Sequence, residues 1–226
     1  VTEPRDGIWL TNPTRQDPKV DLNKKLFEEA ILLYTELLKY GANSNWINLF
    51  NMAANEKPGV SDWLYEPWYI DRILKPIRKA ILYTPIIVNE SGEKKSIKND
   101  EGKFNIYFPS NNNSQIRERI WELCYPLFAS QIPKRSDIHE WFDVIWSDLV
   151  VLDLKQISTF IQNKVNIDQL FSSFSSANLS VLEWLNDYYD ILNLDAKFIK
   201  NIIDDNFKVI PNQQGVFQTR SKLMVD

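Results

Sequence analysis

The chain has 226 residues, of which 44% are hydrophobic and 25% are charged, and its formal net charge is −4. These are the proportions of a globular protein rather than a disordered or fibrous one. The single cysteine excludes an internal disulfide framework, and the single histidine excludes a metal centre built on a histidine pair. Six glycines leave no room for a Gly-rich phosphate loop, and the acidic balance gives no general attraction to nucleic acid.

Nothing in the sequence indicates a membrane or a secretory route. The longest apolar runs fall far short of the ~20 residues that a membrane span needs. The first ten residues include Glu3, Arg5 and Asp6 and lack the apolar core of a signal peptide. We therefore expect a cytoplasmic protein without a membrane partner. Because the chain opens on Val1 rather than Met, we also expect a piece of a longer protein, with removal of the initiator Met by processing as the alternative.

The first two segments differ in pattern. Residues 1–20 are rich in proline and polar residues, which predicts an extended segment. Residues 21–40 carry apolar side chains at intervals of three or four, followed by Gly41, which predicts an amphipathic helix. The apolar positions of that helix are Leu22, Leu26, Ala30, Leu33 and Leu37.

Two more helices are predicted before residue 84. A short one covers residues 46–53. A longer one begins near Pro67, a residue suited to the first turn of a helix, and runs to Tyr83. Pro76 lies inside the longer helix, so we expect a kink there.

Strands are predicted in three places. Residues 84–97 set the turn-forming tetrapeptide 89–92 between two apolar runs, which is typical of a hairpin. Residues 208–218 also predict a hairpin, with residues 212–215 as the turn. Residues 104–108 predict a further strand that ends at Pro109. Because both hairpins follow an amphipathic helix, residues 68–108 and 195–226 are candidate copies of one helix-and-hairpin unit.

The second half of the chain predicts five helices, over residues 114–129, 137–147, 153–164, 180–192 and 195–203. Asp137 and Ser180 each precede a glutamate by three residues, as in a capping box, and Asp153 and Asp195 are further candidate N-caps.

The sequence thus predicts a mainly helical α+β fold with seven or eight helices and two small antiparallel hairpins. We expect roughly 50–60% helix and 10–15% strand. The predicted organisation is an extended N-terminal segment over 1–20, a helical subdomain with a hairpin over 21–113, and a helical subdomain ending in a hairpin over 114–226.

Few side chains offer catalytic chemistry. His139 falls on the polar face of its helix without a nucleophile motif nearby, which favours an exposed surface histidine. Cys124 falls on an apolar stripe, which favours a small core residue over a reactive thiol. Acidic pairs such as Asp187 and Asp190 have no spacing that selects acid–base or metal chemistry.

Two clusters are candidates for binding. A basic helical face could meet phosphate or an acidic partner, although a solvated face explains it more simply. An aromatic cluster could dock another protein or pack beneath a loop. The basic face consists of Arg72, Lys75, Arg78 and Lys79, and the aromatic cluster of Trp63, Tyr65 and Trp68. A nucleic-acid role would require the basic face to join Lys134 and Arg135 in one patch.

The sequence contains no P-loop, dinucleotide-binding fingerprint, nucleophile elbow, EF-hand loop or paired CxxC motif. We therefore expect this segment to be catalytically silent and free of bound metal and cofactor.

Two passages resemble a known family. Residues 3–10, EPRDGIWL, resemble the stretch that closes the ATPase module in large bacterial proteins with a sacsin-like, heat-shock-chaperone-type (GHKL) nucleotide-binding domain. Residues 210–217, IPNQQGVF, with Leu223 and Asp226, resemble a hairpin that recurs in sacsin-like chains, and residues 86–92 are a looser copy. Residues 138–141 and 182–185 are also similar to segments of those bacterial proteins.

The resemblance implies a non-catalytic middle segment that follows the ATPase domain. Its implied role is to relay the nucleotide state of that domain or to dock partners. It implies ATP and magnesium for the full-length protein, but the nucleotide-binding motifs of the GHKL fold have no matching positions in this sequence. The implied partners are the upstream ATPase domain of the same chain and a client protein. Arg5 is the residue that the resemblance places nearest to nucleotide, where a guanidinium can bond two phosphate oxygens. The alternatives are a nucleic-acid-associated module of a defence or repair ATPase and a stand-alone protein-docking domain.

Overall fold

The structure, a computed structural model, describes residue 10 and residues 18–53, 64–144, 146, 148–175 and 180–223. Of the described residues, 58% are helical, in eight helices if the continuous segment 66–83 is counted as one, and three two-stranded sheets accompany them, two of which are antiparallel hairpins. The predicted mainly helical α+β fold is confirmed. The chain divides into unit 1, Val1–Ile87 with Lys94–Asn105, and unit 2, Val88–Glu93 with Ile106–Asp226.

Unit 1 is built on one long helix and one interrupted helix. Its elements are α1 Pro18–Asn43, a 3₁₀ turn Leu49–Met52, α2 Glu66–Tyr69, a π turn Ile70–Leu74 and α3 Lys75–Tyr83. The first hairpin, β1 Ile87–Val88 with β2 Lys94–Lys95, contains the boundary between the units. The predicted helix over residues 46–53 is wrong: the structure has only the 3₁₀ turn Leu49–Met52 there.

The kink predicted at Pro76 takes the form of a π turn just before it. α2, the π turn and α3 follow one another without a break, and the N–H of Lys75 bonds to the carbonyl of Ile70, five residues back. A proline ring inside an α-helix clashes with the carbonyl four residues earlier. A widened turn at this point relieves that clash without ending the helix.

One face of α1 packs against the rest of unit 1. Gly41 allows the close approach, since a Cβ there would lie 2.8 Å from the ring of Trp46. The Tyr34 hydroxyl donates to the carbonyl of Met52, and burial raises the pKa of that phenol to about 12. Lys94 donates from Nζ to the Ala42 carbonyl at 2.6 Å, which neutralises part of the exposed C-terminal end of the helix.

Unit 2 contains the larger core. Its helices are α4 Ser114–Phe128, α5 Ile138–Val144, α6 Leu154–Gln162, α7 Ile167–Phe171, α8 Val181–Leu194 and α9 Ile199–Ile203. Its strands are β3 Phe108–Pro109, β4 Val151–Leu152, β5 Ile210–Pro211 and β6 Phe217–Gln218. α4 packs against α8, and the indole N–H of Trp184 donates to the Leu123 carbonyl at 2.9 Å. This bond satisfies a buried donor in the centre of the core.

Two of the four predicted N-caps are confirmed. Asp153 accepts from the Gln156 N–H at 2.8 Å. The prediction for Asp195 is wrong: its side chain accepts from the Phe198 N–H at 3.0 Å, but α9 begins only at Ile199, and its N-cap, Phe198, makes no side-chain cap bond. Ser180 accepts from the N–H of Glu183, as the capping box requires. The prediction for Asp137 is wrong: this residue closes a 3₁₀ turn, and α5 ends at Val144 rather than near residue 147.

The third predicted strand is much shorter than expected and has an unexpected partner. Only Phe108–Pro109 is a strand, and it pairs in parallel with Val151–Leu152. All strands of the described residues are two residues long, so the strand content falls below the predicted tenth.

Three turns share one geometry. In each, an asparagine side chain accepts the N–H four residues later, and a glycine three residues after the asparagine donates to the asparagine carbonyl. The glycines have φ between +75° and +81°, which an L side chain rarely adopts. The three turns are 89–92 and 212–215, both predicted, and 99–102, which the sequence analysis missed.

No described helix combines the length and apolar character that crossing a bilayer requires.

One buried hydrogen bond gives a stability prediction. Ser158 donates to the Leu154 carbonyl, so its oxygen must accept the proton of the Tyr188 hydroxyl at 2.7 Å. Both residues are fully buried, and burial raises the pKa of Tyr188. Ser158→Ala therefore leaves the buried hydroxyl proton of Tyr188 without an acceptor. The variant should lower the free energy of unfolding of unit 2 by about 1–3 kcal/mol.

The matched variant is Tyr188→Phe, which removes the donor and leaves Ser158 bonded to Leu154. We expect it to cost less than Ser158→Ala, and we expect the double variant to be more stable than Ser158→Ala alone. Urea denaturation of all three measures this order, and additive losses would contradict it.

Candidate functional site

The outer face of α1 carries a row of large apolar side chains that the described residues do not cover. Their exposed fractions lie between 46% and 72%. We call this row the leucine surface; it consists of Leu22, Leu26, Leu33, Leu37 and Tyr40. Single exposed leucines are ordinary on protein surfaces, whereas a contiguous row of them is a candidate interaction site.

The row is continuous because of helical spacing. At 3.6 residues per turn its members fall within about 60° of one another and extend over roughly 27 Å of helix. The buried residues Val20 and Leu38 lie about 100° or more away from every member of the row around the helix. α1 is therefore apolar on two faces and buries one of them.

The apolar surface continues past the end of α1. Trp46 packs edge-on against the ring of Tyr40, with centroids 5.8 Å apart, and 43% of its surface is exposed. The next residue, Ile47, is 81% exposed. Trp46 is held by the N–H of its backbone, which donates to Gly41 at 2.9 Å, so the end of the row has a fixed geometry.

The positions along the row match the seam of a coiled coil. Leu26, Ala30, Leu33, Leu37 and Tyr40 follow one another at steps of four, three, four and three, as alternating d and a positions do. In that register Glu29 and Glu36 occupy the flanking g positions, and both are exposed. Glu36 bonds to Lys39 at 3.0 Å, a surface pair that contributes little to stability.

The two described members of the aromatic cluster, Tyr65 and Trp68, are half-buried beside α1. The Nζ of Lys24 lies 5.5 Å from the ring centroid of Trp68 and 6.0 Å from that of Tyr65. The indole N–H of Trp68 donates to Glu28 at 3.3 Å. Tyr65 and Trp68 thus hold the segment after residue 64 against α1 through cation–π and hydrogen-bond contacts. Trp63 lies outside the described residues.

The basic face is partly neutralised by neighbouring carboxylates. Lys75 bonds to Asp71 at 2.6 Å, and Arg72 lies 3.9 Å from Glu28. Arg78 is half-buried, and desolvation lowers the pKa of its guanidinium. Lys79 is exposed.

In unit 2, Lys134 pairs with Asp137, and Arg135 pairs with Glu118 and Glu122. Each of these cations therefore has a carboxylate partner. Arg5 lies outside the described residues.

His139 belongs to a hydrogen-bonded chain that sequence reasoning missed. Arg117 donates from Nη1 to Nδ1 of His139 at 2.8 Å, and Nε2 of His139 lies 3.0 Å from Glu118. Because arginine has no acceptor, Nδ1 must accept, and the ring proton sits on Nε2 and is donated to the carboxylate. Arg117 is only 6% exposed and stacks 3.6 Å from the ring centroid of Phe142.

These hydrogen bonds hold α5 against α4 and do not leave His139 available as a catalytic base. A general base needs a free lone pair within reach of a substrate proton, and the imidazole lone pair of His139 is taken by Arg117. The sequence signal was the position of Arg117, which shares the buried face of α4 with Trp121 and Cys124. An arginine on an apolar stripe needs partners when it is buried.

The remaining candidate groups pack or pair. Cys124 is fully buried in the core of unit 2, and burial raises the pKa of its thiol. Asp187 lies 3.3 Å from Arg119. Among the described residues, no three His, Cys, Asp or Glu side chains come together as a metal site would require.

Comparisons with protein-family models, with curated proteins and with solved structures found no match for this chain.

The α4–α5 contact predicts a pH dependence. Hydrogen bonds from His139 and Arg135 hold the pKa of Glu118 below its ordinary 4.5. A carboxyl whose pKa is lowered by folding stabilises the protein above its unfolded pKa, and that contribution is lost as the pH falls through the folded pKa. The unfolding midpoint of the wild type should therefore fall more steeply than that of Glu118→Gln between about pH 5 and pH 3.

The matched control is Glu140→Gln, because Glu140 is an exposed glutamate on α5 with no ion pair in the described part of unit 2. Thermal unfolding followed by circular dichroism across that pH range should separate Glu118→Gln from both other proteins. Parallel pH profiles for all three would contradict the assignment.

Proposed function

We propose that this chain is a non-catalytic protein-docking module that binds an amphipathic helix of a partner through the leucine surface. The observation that carries the proposal is a row of five exposed apolar side chains on one helix, four of which, Leu26, Leu33, Leu37 and Tyr40, have coiled-coil spacing together with Ala30. Packing a helix with a matching apolar stripe against this face removes those side chains from water.

The charges beside the row favour a partner with a basic border. In an antiparallel pair of two copies, Glu29 of one α1 would approach Glu36 of the other, and this repulsion would occur twice by symmetry. A partner helix with lysine or arginine beside its apolar stripe would instead meet opposite charges. The expected partner is therefore a basic amphipathic helix rather than an antiparallel second copy of this chain.

The family resemblance supplies the context for the proposal. It favours a partner helix in the upstream ATPase domain of a sacsin-like, chaperone-type protein, or in a client of that protein. ATP and magnesium would be bound by the ATPase domain, and this segment would relay nucleotide state through the helix it docks. The nucleic-acid alternative gains no support from the basic residues, because most of them pair with carboxylates inside their own unit.

A designed peptide tests the docking proposal. The probe is a labelled helix of roughly three heptads with leucine at a and d and lysine at e and g. We expect it to bind the protein, and we expect Leu33→Asp to weaken binding by at least about tenfold, or ~1.4 kcal/mol, because a charge then faces the seam. Fluorescence anisotropy measures both affinities.

The chain offers a matched control for this variant. Leu32 is also exposed, at 68%, but it lies outside the row by about a quarter of a turn. Leu32→Asp should change the affinity less than about twofold. Equal losses for the two variants would contradict docking on the leucine surface, and a dimer that Leu33→Asp converts to monomer in light scattering would replace the basic helix by a second copy.

Coupling to an ATPase is tested separately through Arg5. In a longer polypeptide that carries the upstream ATPase domain, Arg5→Ala should lower ATP turnover by more than about tenfold, since it removes a guanidinium from the transferring phosphate. Nucleotide affinity should change less. Steady-state turnover and equilibrium nucleotide binding distinguish these effects, and unchanged turnover would remove Arg5 from any coupling role.

A further inference from the structure

A cavity of about 250 Å³ lies in unit 2 where β4, one side of α6 and the end of α4 meet. Its lining is largely apolar, with three aromatic rings packed edge to face. Residues that line it include Tyr107, Phe128, Val151, Gln156, Phe160 and Asn163. A concave apolar site with a few polar groups is the usual form of a binding pocket.

One border of the cavity is a free strand edge. Phe108 donates to the carbonyl of Val150, and Ser110 donates to the carbonyl of Leu152. In a parallel ladder these bonds turn Val150 and Leu152 toward β3, so the N–H and C=O of Val151 point to the opposite side. Within the described residues neither group of Val151 has a hydrogen-bond partner.

The other edge of this small sheet is closed. Pro109 has no N–H to offer, and the N–H of Tyr107 already donates to the Gln131 carbonyl at 2.8 Å. Proline is a common means of blocking an exposed sheet edge. Strand addition is therefore open at β4 and blocked at β3.

Two carboxamides complete the polar lining. Gln156 and Asn163 extend from α6 beside the cavity, and within the described residues neither side chain holds a hydrogen bond. A carboxamide both donates and accepts, which matches the alternating N–H and C=O groups of a peptide backbone.

We propose that β4 and the adjoining cavity bind an extended apolar peptide segment of another polypeptide by strand addition. The backbone of that segment pairs with Val151 and the two carboxamides, while an apolar side chain enters the cavity. The Nζ of Lys164 lies 4.6 Å from the ring centroid of Phe160 at the cavity wall, and none of the described lining residues is acidic. An acidic residue beside the apolar side chain therefore completes the preferred sequence.

The site is independent of the leucine surface. It lies in unit 2, it recognises backbone groups, and it takes an extended segment where the leucine surface takes a helix. Failure of the helix-peptide experiment above would leave it untouched.

Two peptides test the proposal on the full chain. The first is a fluorescein-labelled seven-residue peptide with alternating leucine and threonine and an acidic residue near its centre. The second has the same sequence with N-methyl groups on alternate backbone nitrogens, which keeps the side chains and removes strand pairing. We expect saturable binding of the first below about 1 mM and at least tenfold weaker binding of the second. Equal affinities would overturn strand addition in favour of simple apolar burial, and no binding would overturn the site.

Variants then locate the peptide. Val151→Pro removes the free N–H that would donate to the peptide and keeps the carbonyl, so it should weaken the first peptide more than the second and reduce the difference between them. Because proline could disturb β4, the double variant Gln156→Ala with Asn163→Ala serves as the second test, since neither side chain holds the fold together. It should weaken the first peptide at least fivefold, whereas Gln213→Ala, an exposed glutamine of the 212–215 turn, should leave it unchanged. Equal effects of the double variant and its control would overturn the site.

Discussion

α1 has apolar side chains on two faces, and a helix can bury only one face against a single layer of neighbours. Packing selects the face that contains Gly41 and Leu38, because only glycine permits the approach of Trp46 at that point. The leucine surface stays in water as a result. Fully burying a leucine contributes about 1.5–3 kcal/mol. Burying the exposed halves of these five side chains would therefore contribute about 4–7 kcal/mol of hydrophobic free energy, before the entropy cost of binding is subtracted. The proposed docking partner would use that free energy, so the choice of packing face determines which face is open to it.

Local chemistry explains the part of the structure that the sequence could predict. An aspartate or serine before an apolar run offers its oxygen to the first free N–H groups of a helix, which identifies Asp153 and Ser180 without reference to distant residues. The Asn-x-x-Gly turns depend on one side-chain acceptor and one glycine with positive φ, so they too can be recognised over five residues. The same chemistry limits the family resemblance. The IPNQQG passage that carries it is one of three turns of identical geometry in this chain, and turn formation alone is sufficient to select such residues.

Features that depend on distant residues could not be predicted. β3 and β4 are separated by some forty residues, and two-residue strands leave almost no pattern from which a parallel partner can be recognised. His139 was assigned to solvent from its place on α5, but its partners Arg117 and Glu118 come from α4. The apolar spacing in α1 predicted a helix and could not say whether that row faces the core, since periodicity reports amphipathicity and not which face is covered. Both candidate binding sites arise from these non-local outcomes, and neither was visible in the sequence.

The two sites differ in what they can discriminate. A helix hides its own backbone, so the leucine surface can recognise a partner only through side-chain shape and the charges beside the row, and such recognition selects one folded helix among many. A free strand edge binds backbone groups, which all polypeptides share. Its selectivity depends only on one apolar cavity and a nearby cation, so many extended sequences can bind there. Folded partners do not offer a free extended backbone, whereas unfolded segments do. With both proposed sites, the chain would hold one fixed helical partner and bind unfolded segments of varying sequence.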